Sequence, residues 1–108
     1  MDKALIYKKH ILEAIDKIQK FTSGVSYEEF LKDEILQEAL VRKIEIIGEA
    51  SKRLPENFKL LASNIPWNEI TAMRNKIVHD YFEVDLEVVW SSIQNDLAPL
   101  KEFLEKNL

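Results

Sequence analysis

Apolar residues in this 108-residue chain recur three and four positions apart over long stretches, and no stretch alternates strictly between apolar and polar. A period near 3.6 buries as one face of a helix, whereas a half-buried strand needs a period of two. Ala4, Tyr7, Ile11, Ile15 and Ile18 predict a first helix from about Asp2 to Phe21, with Gly24 just beyond it as a stop. Ser26 and Glu29 have the spacing of a capping box, which opens a short helical turn. A long helix follows from about Glu34 to Leu54, with Leu36, Leu40, Ile44, Ile47, Ala50 and Leu54 on its stripe and Pro55 at its end.

After a turn around Asn57 to Ser63, Pro66 fits the first position of a helix from about Trp67 to His79, which carries Ile70, Met73 and Ile77 on one face. Asp85 fits the N-cap of the last helix, striped by Leu86, Val89, Trp90, Ile93, Leu97, Leu100 and Leu104. Pro99 should kink or interrupt that helix or start a new one. The expectation is an all-α chain: an antiparallel bundle of four main helices plus short helical turns, forming a single domain over residues 1–108. No repeat, low-complexity tract or linker divides it.

Composition supports that reading. Two glycines and three prolines are too few for a loop-rich β-sandwich. A domain of this length can bury roughly two-thirds of its unfolded surface without a disulfide or metal. The absence of cysteine removes thiol chemistry and Cys-based zinc sites, and the two histidines, His10 and His79, are too few for a His-rich metal centre. No cofactor or metal is expected. Met1-Asp2-Lys3 does not open a signal peptide, and no run approaches the ~20 apolar residues of a membrane span, so the expected location is cytoplasmic, away from membranes.

The formal net charge of −4 disfavours a sequence-independent grip on nucleic acid. The charge is uneven, however. Residues 42–79 carry seven bases against four acids, whereas residues 80–108 sum to −5. A modest positive surface can therefore exist on an acidic chain.

Chemistry concentrates in Met73-Arg74-Asn75-Lys76-Ile77-Val78-His79-Asp80-Tyr81. On a helix advancing ~100° per residue from Arg74, Asn75 falls near ~100° and His79 near ~140°, opposite the face of Ile70, Met73 and Ile77. Asn75 and His79 can hydrogen-bond four residues apart. Arg74 is offset from His79 on one helix, whereas two copies meeting across a two-fold axis can build one shared cleft. Histidine can take a proton from a hydroxyl or return one to a leaving oxygen, and arginine can stabilise charge growing on phosphate. Together they suit metal-independent RNA cleavage, in which the ribose 2′-hydroxyl attacks the adjacent phosphate. The same residues also read as an ordinary surface helix, whose terminal histidine complements the helix dipole. The residues alone reach a candidate phosphate site.

Ile47-Gly48-Glu49-Ala50-Ser51-Lys52-Arg53-Leu54-Pro55, Ile65-Pro66-Trp67, Met73 to Tyr81, Val84-Asp85 and Trp90 together resemble the HepT-like group of HEPN (higher eukaryotes and prokaryotes nucleotide-binding) domains. The resemblance spans about residues 35–100. It implies a small helical bundle that forms a homodimer and acts as a ribonuclease toxin on RNA, paired with a minimal nucleotidyltransferase antitoxin. Arg74, Asn75, His79 and Tyr81 occupy the places of the family's motif. The resemblance thus implies a catalytic pair of Arg74 and His79, a supporting Asn75, and AMP attachment at Tyr81. A nucleotide there adds charge and bulk that compete with RNA for Arg74. The alternative is a non-catalytic helical module that binds a nucleotidyltransferase partner or a nucleotide.

Other residues have plainer expectations. His10 reads as a solvated or packing histidine, and Trp67 and Trp90 read as core. Gly48 reads as a close helix approach, and nothing supports a ligand role for Glu49. Lys8, Lys9, Arg42, Lys52 and Arg53 read as solvated charge that can also meet RNA or the antitoxin. Asp80, Glu83, Asp85 and Glu87 would repel RNA and instead suit a partner face or the cap of the last helix.

Overall fold

Four helix starts are fixed by side chains of the kind that favour such positions, since an oxygen just ahead of the first turn can accept from amides that lack intrahelical partners. In a computed structural model of the chain, which describes residues 2–73 and 85–108, Asp2 accepts from the amides of Ala4 and Leu5 and opens α1, Lys3–Thr22. Ser26 and Glu29 form the reciprocal capping box and open α2, Tyr27–Leu31. Asp33 accepts from Leu36 at the start of α3, Glu34–Lys52. Asp85 accepts from Val88 and opens α6, Leu86–Asn95. The shorter α4, Glu56–Lys59, and α5, Trp67–Thr71, lie between α3 and α6, and α7, Leu97–Lys106, completes the set. Every regular element among the described residues is helical.

The expected stops hold. Gly24 adopts a φ of 73°, left-handed backbone that glycine takes without a Cβ penalty. Pro99 sits in the first turn of α7. Lacking an N–H and clashing with the carbonyl four residues back, at Asn95, it forbids one continuous helix, and the chain breaks at Asp96. The last helix is therefore two.

Two expectations are corrected. Pro66 is not the first helical residue but the residue before it: its φ of −80° and ψ of 72°, with the Trp67 amide donating to the Ile65 carbonyl at 2.8 Å, make an inverse γ-turn that leads into α5. The helix expected to run from Trp67 to His79 is broken at Ala72: α5 ends at Thr71 and Met73 is helical again, while residues 74–79 lie outside the described residues. Ala72 caps α5 with a φ of −85° and a ψ of 0°, donating its amide to Asn68. A helical phase therefore does not carry unbroken from Ile70 into the motif, although Ile70 and Met73 are both buried as expected.

The core joins α1 to α3. Ile11, Ile15 and Ile18 share one fully buried cluster with Leu40, Ile44 and Ile47. Each such side chain contributes roughly 1.5–3 kcal/mol by leaving water. Val89, Leu97, Leu100 and Leu104 complete the cluster from α6 and α7. Aromatic rings fasten the shorter elements: Trp90 stacks on Phe30 at 4.9 Å, which holds α2 to α6, and Phe103 meets Phe58 at 5.2 Å and Trp67 at 5.9 Å. No helix among the described residues is long and apolar enough to cross a membrane.

Candidate functional site

Arg74, Asn75, His79 and Tyr81 all lie outside the described residues, as do Asp80 and Glu83. What the structure describes is the framework on either side of them. Met73, the last described residue before Arg74, is 2% exposed and belongs to the core. On the far side, Asp85 fixes the start of α6 by its cap. The chain is thus anchored on both sides of the motif, at Met73 and at Asp85.

The entry to that segment is positioned by Gly48. A Cβ on Gly48 would stand 3.3 Å from the Thr71 carbonyl oxygen and 3.4 Å from that of Ile70. The absent side chain lets the end of α5 lie directly on α3, which is the close approach expected of this glycine. Around this contact lies an open groove of about 380 Å³ lined by Glu45, Gly48, Glu49, Lys52, Thr71 and Ala72.

A second groove, of about 500 Å³, runs between α1 and α3. Tyr7 and His10 line it from α1; Arg42, Glu45, Glu49 and Arg53 line it from α3. The two grooves share Glu45 and Glu49 as a common wall. Arg53 lies over the Tyr7 ring with its guanidinium carbon 6.0 Å from the centroid, at the outer reach of a cation–π contact. Reading α3 for its apolar stripe alone missed this groove. The spacing of 42, 45, 49 and 53 on the opposite face was the available signal.

The remaining candidates separate cleanly. Lys8 is corrected: it is 8% exposed, donates to the Asn107 carbonyl at 3.0 Å and lies 4.1 Å over the Phe58 ring. Its charge meets the carbonyl end of α7, where a cation is favoured, so it braces the two ends of the chain and does not face solvent. Lys9 is exposed. His10 is exposed on the groove rim, and Glu87 is exposed in the first turn of α6. Trp67 donates its indole N–H to the Lys59 carbonyl at 3.0 Å and packs on the core, as Trp90 does, so both are structural as expected.

The Ribonuclease HepT-like family matches residues 11–107. The chain belongs to the HepT-like family. It is 46% identical over 100 residues to a protein of Thermococcus cleftensis named "Probable ribonuclease HepT", covering 93% of this chain and 91% of that one. It is 41% identical over 104 residues to a "Putative RNase" of Caldanaerobacter subterraneus subsp. tengcongensis, covering 93% of each chain. It is 42% identical over 101 residues to a two-activity protein of Methanocaldococcus jannaschii, named a gamma-glutamylcyclotransferase and "putative RNase", covering 94% of this chain and 46% of that one. No solved structure matches the chain.

Proposed function

We propose that residues 1–108 form one HEPN-like helical domain, an antiparallel bundle of four main helices, that acts as a metal-independent endoribonuclease toxin. The observation that carries this reading is the family match. It runs through 11–107 and so includes Arg74, Asn75, His79 and Tyr81, and relatives that cover nearly the whole chain bear ribonuclease names. The domain works in the cytoplasm as a homodimer, with the motifs of both copies in one cleft. One His79 takes the proton of the ribose 2′-hydroxyl as that oxygen attacks the neighbouring phosphorus. The other protonates the departing 5′-oxygen, which leaves a 2′,3′-cyclic phosphate and a 5′-hydroxyl. Arg74 neutralises the charge that builds on the phosphate oxygens, and Asn75 orients the imidazole.

A minimal nucleotidyltransferase antitoxin silences the enzyme by transferring AMP from ATP to the Tyr81 oxygen, with pyrophosphate as the leaving group. The added phosphodiester competes with RNA for Arg74. Purified, unmodified protein should cut RNA in the presence of a chelator, and His79→Ala should lower the rate at least ~100-fold while the circular-dichroism spectrum and melting temperature hold. Intact RNA with the unmodified wild-type protein sinks the reading. Mass spectrometry after co-expression with a nucleotidyltransferase should find one or more AMP units on Tyr81. Tight partner binding with neither modification nor cleavage would instead favour a non-catalytic module.

A further inference from the structure

Arg42 and Arg53 are both exposed and line the α1–α3 groove. Each has a glutamate four residues earlier, Glu38 and Glu49, in the order that favours pairing along a helix. Neither pair is made: the ion pairs among the described residues join Lys20 to Asp16, Lys59 to Glu56, and Lys106 to Glu102. Both arginines instead border the groove that also holds Tyr7, and Arg53 lies over that ring.

We propose that this groove holds single-stranded RNA flanking the cut site, with Arg42 and Arg53 each taking a backbone phosphate and Tyr7 stacking a base. The proposal rests on the ribonuclease reading and names where its substrate runs. The arginines stand eleven positions apart. At 1.5 Å per residue they stand about 16 Å apart on one face of α3, far enough to hold two separate phosphates. Arginine's planar donor fork matches phosphate oxygens. Glu45 and Glu49 lie between them and keep phosphate out of the middle of the groove. The exposed Glu49 carboxylate can accept from base amino groups, donors that RNA presents between its phosphates. Two cations against two acids cannot hold the dense charge of a duplex, so a single strand is the form the groove suits. Glu45 and Glu49 also wall the groove that reaches Thr71 and Ala72, so the track continues to the point where the chain enters the Arg74–His79 segment.

The test uses 2′-O-methyl oligocytidylates of about four and about twelve nucleotides, which keep the base amino groups and offer no 2′-hydroxyl nucleophile. Fluorescence anisotropy against salt should show the wild-type protein binding the longer strand more tightly. The double variant Arg42→Gln, Arg53→Gln should lose roughly tenfold of that affinity and flatten the log–log salt slope by about 1.4, two single-strand phosphate contacts, with its melting temperature kept. An unchanged slope in the folded double variant overturns the proposal, and so does equal affinity of the wild type for both lengths. A change in oligomeric mass with RNA affinity intact also overturns it and assigns the groove to a protein contact. If the arginines govern binding yet the wild-type protein never cuts RNA, the groove assignment stands and the catalytic reading falls.

Discussion

The two faces of α3 are built from opposite materials. Toward the core, Leu40, Ile44 and Ile47 are 0% exposed and Ala50 nearly so. Toward solvent stand Glu38, Arg42, Glu49, Lys52 and Arg53, all exposed. The inner face holds the helix against α1, and its chemistry is interchangeable so long as volume is kept. The outer face adds little to stability, because exposed charges in high dielectric interact weakly. Its residues are therefore free to be selected for what they touch. One helix thus keeps the work of folding on one face and leaves the other free for recognition.

The sharpest way to break that division is to remove volume from the inner face. Ile44→Ala should cost about 2–5 kcal/mol, because it deletes buried methyl groups and leaves a cavity that close-packed neighbours fill only in part. Arg42→Gln, only two residues away on the outer face, should stay within about ±0.5 kcal/mol. Urea unfolding of the two variants, with midpoints and slopes compared, measures the contrast. Equal losses would mean that the outer face also carries the fold.

Gly48 stands at the border between the faces and should give an intermediate effect. Elsewhere in a helix, glycine to alanine stabilises by ~1 kcal/mol. Here the new Cβ would press on the Thr71 and Ile70 carbonyl oxygens at 3.3 and 3.4 Å, and a backbone carbonyl at a capped helix end yields less readily than the tip of a flexible side chain. Gly48→Ala should therefore show no net gain, and Gly48→Leu should cost roughly 1–3 kcal/mol by overpacking. Thermal melts check both. A full stabilisation of the alanine variant would show that α5 withdraws freely from α3, and with it the entry to the motif.

Periodicity made α1 and α3 legible because a long apolar stripe has only one way to be buried. Local hydrogen-bond chemistry did the same for Ser26, Asp85 and Gly24, and ring sterics did so for Pro99. What escaped was set by contacts between distant segments. Thr71 ends α5 where it lies on Gly48, and no residue between Trp67 and Met73 announces a stop. Lys8 is charged and reads as solvated, yet a carbonyl 99 residues later accepts from it. Of the site, the Arg74–His79 motif was legible as chemistry but falls outside the described residues. Of the Arg42–Arg53 groove only one wall was legible, as the spacing of 42, 45, 49 and 53; the other exists only once α1 supplies Tyr7 and His10.

Ser51 gives the smallest and most diagnostic effect, because it is a polar residue on the inner face. It is 0% exposed, and its hydroxyl oxygen has no hydrogen-bond partner among the described residues. A buried hydroxyl without a partner costs on the order of 1–3 kcal/mol relative to one that is satisfied. Alanine removes that cost and improves helix propensity, at the expense of a small void. The expected net is a stabilisation of about 0.5–1 kcal/mol for Ser51→Ala, read as a higher urea midpoint with an unchanged slope. The opposite sign would be equally informative. A loss of ~1 kcal/mol or more would mean that the hydroxyl is satisfied in solution, and that the inner face of α3 carries a polar contact beside its apolar ones.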